Sequence, residues 1–72
     1  MRSVEVTRAG DLSVSDQLAE MQRWLDAKSI RASDLRAVSI LRGRVTFGVT
    51  LQNEADVDRF IRAFGDLGWQ KR

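Results

Sequence analysis

The chain is predicted to fold as a single α+β domain in which an antiparallel sheet carries two helices on one face. Three observations lead there. Residues 2–8, 36–41 and 44–51 place apolar side chains at every second position, the period of a half-buried strand. Residues 14–28 and 54–65 repeat apolar side chains at helical spacing. Arg42-Gly43 separates two of the alternating stretches, as the turn of a hairpin does. The resulting order is β-α-β-β-α, with room after Gly65 for at most a short fourth strand.

In the first strand, Val4 and Val6 face one way and Ser3, Glu5 and Thr7 the other. Ala9-Gly10-Asp11 is turn chemistry and ends it. Ser13 is placed to cap the first helix, with Asp16 near its positive end. Val14, Leu18, Met21 and Leu25 form that helix's apolar stripe, Gln17 falls among the polar positions, and Trp24 lies at the flank.

In the hairpin, Val45, Phe47, Val49 and Leu51 alternate with Arg44, Thr46, Gly48 and Thr50. A two-residue turn at Arg42-Gly43 pairs Leu41 with Arg44, Ile40 with Val45 and Val38 with Phe47, with no slip of register. Asn53 is placed to cap the second helix, whose stripe is Val57, Phe60, Ile61 and Phe64. Gly65 or Gly68 ends it, and Leu67 and Trp69 begin the stub of a last strand.

This order is that of the ferredoxin-like split β-α-β arrangement. Val4, Val6, Val38, Ile40, Val45, Phe47 and Val49 are expected under the helices. Ser3, Glu5, Thr7, Ala37, Ser39, Leu41, Thr46, Gly48 and Thr50 are expected on the uncovered face.

Composition narrows the function classes. At 72 residues and 43% hydrophobic content the chain can form a core, though one that rarely supplies more than roughly 3–5 kcal/mol unaided. It has no Cys, His or Tyr, so the usual nucleophile, general base and soft metal ligands are missing. The acids fall mostly at caps, in loops and on helix surfaces. No enzyme, cofactor or metal site is expected. No apolar run is long enough for a membrane span, and residues 1–6 lack the apolar segment of a secretory signal, so a cytoplasmic protein is expected. Net charge is +2, but the surplus is local: residues 28–44 hold Lys28, Arg31, Arg36, Arg42 and Arg44 against Asp34 alone.

Two families share this order of elements. Arg42-Gly43 followed by Phe47-Gly48 echoes the central-strand motif of the RNA-recognition motif, which stacks bases on aromatic rings of its open face. Strand parity sets Phe47 with Val45 and Val49 in the core, leaving Thr46 and Gly48 outside and no ring for a base. The chain also resembles the ACT group of small regulatory domains in element order and in Gly10 after the first strand. That resemblance implies a dimer with a small ligand at the first strand-helix loop, here Arg8, Gly10 and Asp11.

The function expected is that of a small interaction or regulatory module that is not an enzyme. Its partner would be itself, as a homodimer, or another protein. A stunted last strand would leave residues 2–8 as an open edge for strand addition. Ser39, Thr46 and Gly48 would form a flat surface, and Trp24 and Trp69 are the large side chains able to anchor a partner. The alternatives are nucleic-acid backbone binding by Arg36, Arg42 and Arg44, and the ligand loop just named.

Overall fold

The computed structural model describes all 72 residues. Its elements in chain order are β1 (Arg2–Ala9), α1 (Val14–Ala27), β2 (Ala32–Leu41), β3 (Arg44–Leu51), α2 (Glu54–Phe64) and β4 (Trp69–Lys71). The strands form one antiparallel sheet in the order β2-β3-β1-β4. This is an α+β fold of ferredoxin-like arrangement, with both helices on one face.

Local chemistry explains the boundaries. Ser13 Oγ accepts from Asp16 N–H at 3.1 Å, and Asn53 Oδ1 accepts from Asp56 N–H at 2.9 Å. Each cap satisfies a backbone donor that the helix itself cannot. The hairpin turn has φ of 54° at Arg42 and 73° at Gly43, the paired positive values of a type I′ turn. α1 ends differently: Ser29, at φ 57°, takes the left-handed position usually left to glycine.

The core forms where β1 and β3 meet the helices. Val4 lies opposite Val49 and Val6 opposite Phe47, and all four are buried with Met21, Leu25, Val57 and Phe60. Trp24 seals the seam between the helices. Its ring meets Phe60 and Phe64 edge-on, at centroid distances of 5.9 and 5.5 Å.

Four expectations need correction. The first concerns register. Leu41–Arg44 and Ile40–Val45 pair as expected, but Phe47 lies opposite Ala37, not Val38. The register shifts between Ala37 and Ser39, leaving Val38 as the extra residue of a β-bulge. A one-residue shift exchanges faces. Ala37 therefore packs against the core, while Val38 is 47% exposed on the open face. Gly48 makes room there, since a Cβ on it would lie 3.0 Å from Val38 Cγ2. Ile40 keeps its pairing yet is 67% exposed, at the outer edge of the sheet.

Second, residues 2–8 do not form an open edge. β4 pairs with β1 from Val4 to Val6. Hydrogen bonds from Thr7 N–H to Gly68 O (2.9 Å) and from Arg72 N–H to Ser3 O (2.8 Å) extend the cover at both ends. The long outer edge belongs to β2, which also begins at Ala32, four residues before the predicted start.

Third, Gln17 is buried at 2% exposure, not on the polar side of α1. Its Nε2 donates to Ala9 O (3.0 Å) and Leu12 O (3.2 Å), closing the β1–α1 loop from inside. Fourth, α1 and α2 each end one residue earlier than predicted.

Candidate interaction surface

Strand pairing arranges the open face in transverse rows. One row is Asp34, Thr50 and Ser3, with Arg72 at its β4 end, where the Arg72 N–H meets Ser3 O. The next row is Arg36, Gly48, Glu5 and Gln70. Then come Ser39, Thr46 and Thr7, and finally Leu41 and Arg44.

Two ion pairs flank the first two rows. On β2, Arg36 Nε lies 3.3 Å from Asp34 Oδ2. Across β1 and the C-terminus, Arg72 Nη2 lies 3.0 Å from Glu5 Oε2. Between them is a shallow concavity of about 410 Å³ floored by Ser3, Gly48 and Thr50. Hydroxyl contacts knit the floor, Ser3 to Thr50 at 3.0 Å and Thr7 to Thr46 at 3.4 Å. Val38 and Leu41 (68% exposed) supply apolar contact along β2.

The structure brings Ser39, Thr46 and Gly48 together with Arg36 and Arg44 on this face. Arg42 stands beside them in the hairpin turn, and neither Arg42 nor Arg44 makes an ion pair. The tryptophans are elsewhere. Trp24 is held in the helix seam. Trp69 lies opposite Val6, hence on the helix side of β4, and is 52% exposed there. Beside it, Lys71 Nζ bridges Glu54 Oε1 (2.6 Å) and Asp58 Oδ1 (3.4 Å) of α2. The Glu54 hydrogen bond, aided by Asp58, raises the Lys71 pKa above its ordinary 10.5.

The first strand-helix loop is tied down. Arg8 Nη1 lies 3.3 Å from Glu20 Oε1, and the Arg8 guanidinium sits 5.0 Å from the centre of the Phe64 ring. Gly10 N–H donates to Gly43 O at 2.7 Å, which anchors the loop to the hairpin turn. Asp11 is exposed in the turn, beside a cavity of about 290 Å³ that Arg8, Gln17 and Phe64 also line. The charge of Arg8 and the loop carbonyls that face Gln17 thus have partners within the chain.

Sequence reasoning missed Asp34 as a member of the surface and, though it offers Arg72 with Lys71 as a candidate nucleic-acid contact, it does not place Arg72 beside Ser3. The alternation of Asp34, Leu35 and Arg36 could have extended β2 upstream. Arg72 had no comparable signal, because its place follows from β4 pairing beside β1. No helix is long and apolar enough to cross a membrane, and no group of three or more acidic side chains is gathered that could hold a metal ion.

Fold and surface together define a small α+β domain of ferredoxin-like arrangement with one bare sheet face. Compared with known protein families, curated proteins and solved structures, the chain matches none.

Proposed function

We propose that the protein is a non-enzymatic interaction module that associates with itself through its open sheet face. The observation that carries this reading is the one-sided sheet: both helices cover one face, and the other offers Val38 and Leu41 beside small and charged side chains. Strand addition along β2 is the weaker mode. Its irregularities near Ser33 and Val38 interrupt the ladder, as bulges on protected edges do. Hydroxyl contacts and two ion pairs join side chains across the face.

Light scattering behind a sizing column, at two protein concentrations and two salt levels, tests the reading. A mass rising from monomer towards dimer with concentration is expected. A monomer mass at every concentration refutes it.

A second reading has one specific observation in its favour, the unpaired Arg42 and Arg44 at the hairpin end of the same face. It is nucleic-acid backbone binding, whose affinity must fall steeply with salt. Absence of binding to a single-stranded oligonucleotide at low salt eliminates it.

A further inference from the structure

The two ion pairs of the open face have an order that a second copy of the same face can read. In the first row the acid is on β2 (Asp34) and the base is at the β4 end (Arg72). In the second row the base is on β2 (Arg36) and the acid is on β1 (Glu5). The signs are therefore reversed between the two sides of the sheet, row by row.

We infer that two copies stack face to face about a two-fold axis parallel to the strands, in a symmetric dimer. This rests on the self-association reading and names its geometry. A two-fold axis in that direction keeps each residue at its own height along the strands but exchanges left and right. It lays β2 over the partner's β4 and β3 over the partner's β1. Asp34 of each copy then faces Arg72 of the other, and Arg36 faces Gln70 of the other, with that copy's Glu5 one strand, about 4.8 Å, to the side. Asp34 and Arg72 meet directly with opposite signs, and Arg36 and Glu5 are diagonal neighbours of opposite sign. The interface is isologous, as a two-fold dimer requires.

Shape permits the approach. The floor between the ion pairs is Ser3, Gly48 and Thr50, all small, with Val38 and the long Arg36 and Arg72 side chains at its margin. Packed sheets normally lie about 10 Å apart with strands aligned to within about 30°, which displaces the outer strands, about 7 Å from the axis, by no more than about half the ~6.8 Å between rows.

Area sets the strength. Strands of 8, 10, 8 and 3 residues, about 4.8 Å apart at about 3.4 Å per residue, give a face on the order of 450 Å². Because the three-residue β4 covers only part of the partner's β2, burial on both copies removes at most about 900 Å², below the ~1,200–2,000 Å² of stable specific complexes. The dimer is accordingly a weak one, with a dissociation constant in the micromolar range or above. Charge complementarity gives it orientation and a dependence on salt.

The test reverses one ion pair at a time while keeping each pair, and the net charge, intact. Asp34→Arg with Arg36→Asp retains an ion pair on β2 but presents the wrong sign to Glu5 and Arg72 of the other copy. Glu5→Arg with Arg72→Glu does the same from the other side. Dissociation constants are measured by sedimentation equilibrium at low salt, with circular dichroism confirming the fold. Each double variant should bind itself about tenfold or more weakly, and the quadruple variant, with all signs reversed, should regain affinity to within about threefold of the parent. A parent that dimerises while both double variants dimerise equally well overturns the stacking but leaves self-association by another surface. Weakened double variants without recovery in the quadruple variant overturn the crossing of the pairs. A parent that stays monomeric overturns both the stacking and the reading beneath it.

Discussion

Replacing Gln17 with Leu tests the internal closure of the β1–α1 loop. The substitution keeps much of the side chain's volume but removes the two hydrogen bonds from Nε2 to Ala9 O and Leu12 O. Each is worth about 1 kcal/mol net, and the carbonyls lose a donor inside the protein, so the loss should be about 2 kcal/mol. A domain of this size holds only about 4–11 kcal/mol in total. Near the midpoint, 2 kcal/mol corresponds to about 8–16 °C in melting temperature. Urea titration followed by tryptophan fluorescence gives the free energy, and a thermal melt gives the shift. Gln17→Glu should do worse still, because a carboxylate would be buried facing two carbonyl oxygens and could not donate to either while ionised. A Gln17→Leu protein within about 0.5 kcal/mol of the parent would refute a net stabilising role for the two bonds, the buried leucine then offsetting their loss.

Trp24→Ala should destabilise by roughly 3 kcal/mol, the low end for a large aromatic because part of the ring is exposed, and urea titration followed by circular dichroism checks it. Gly48→Val should cost about 1 kcal/mol by crowding Val38, and a double-mutant cycle with Val38→Ala should cancel most of that cost in urea titrations. The bridge from Lys71 to Glu54 and Asp58 gives a pH signature. Because folding raises the Lys71 pKa through ionised Glu54 and Asp58, its contribution is present from the pH at which those carboxylates ionise up to 10.5 and fades as pH climbs through the raised value. Lys71→Met should therefore melt below the parent at pH 7, with the gap closing above pH 10.5; a gap independent of pH would remove the bridge as its cause.

Legibility divides along a physical line. The hairpin tip was readable because two neighbouring signals agree: an Arg-Gly turn of the type that needs positive φ, and the Ile40–Val45 alternation next to it. The register three residues further on was not readable. Val38, Ser39 and Ile40 alternate equally well in a regular ladder, and what favours the bulge is tertiary packing. Ala37 packs against the core, and Gly48, on the neighbouring strand, vacates the space that Val38 fills. Gln17 shows the same limit. On a helical wheel it is one more polar residue, and only the fold brings the Ala9 and Leu12 carbonyls to its amide. The short β4 could be foreseen as a stub, but its ability to close the β1 edge could not, because backbone bonds from Gly68 and Arg72, outside the strand proper, complete the cover.

These departures change the character of the candidate surface. An open edge along residues 2–8 would have implied association by main-chain pairing, which is largely indifferent to side-chain charge. With β1 enclosed by β3 and β4, the remaining long edge is β2, whose ladder is broken twice. The bulge at Val38 that interrupts this edge also turns an apolar side chain onto the open face, in the same stretch as Leu41. One local irregularity therefore weakens one mode of association and adds contact area to the other. Association through the face is governed by side chains, and there the ordering of Asp34, Arg36, Glu5 and Arg72 matters. Exposed ion pairs contribute little to the stability of a single chain, typically under about 1 kcal/mol. Their consequence is greater at an interface, where like charges brought together cost several kcal/mol and a complementary pattern excludes the wrong registers.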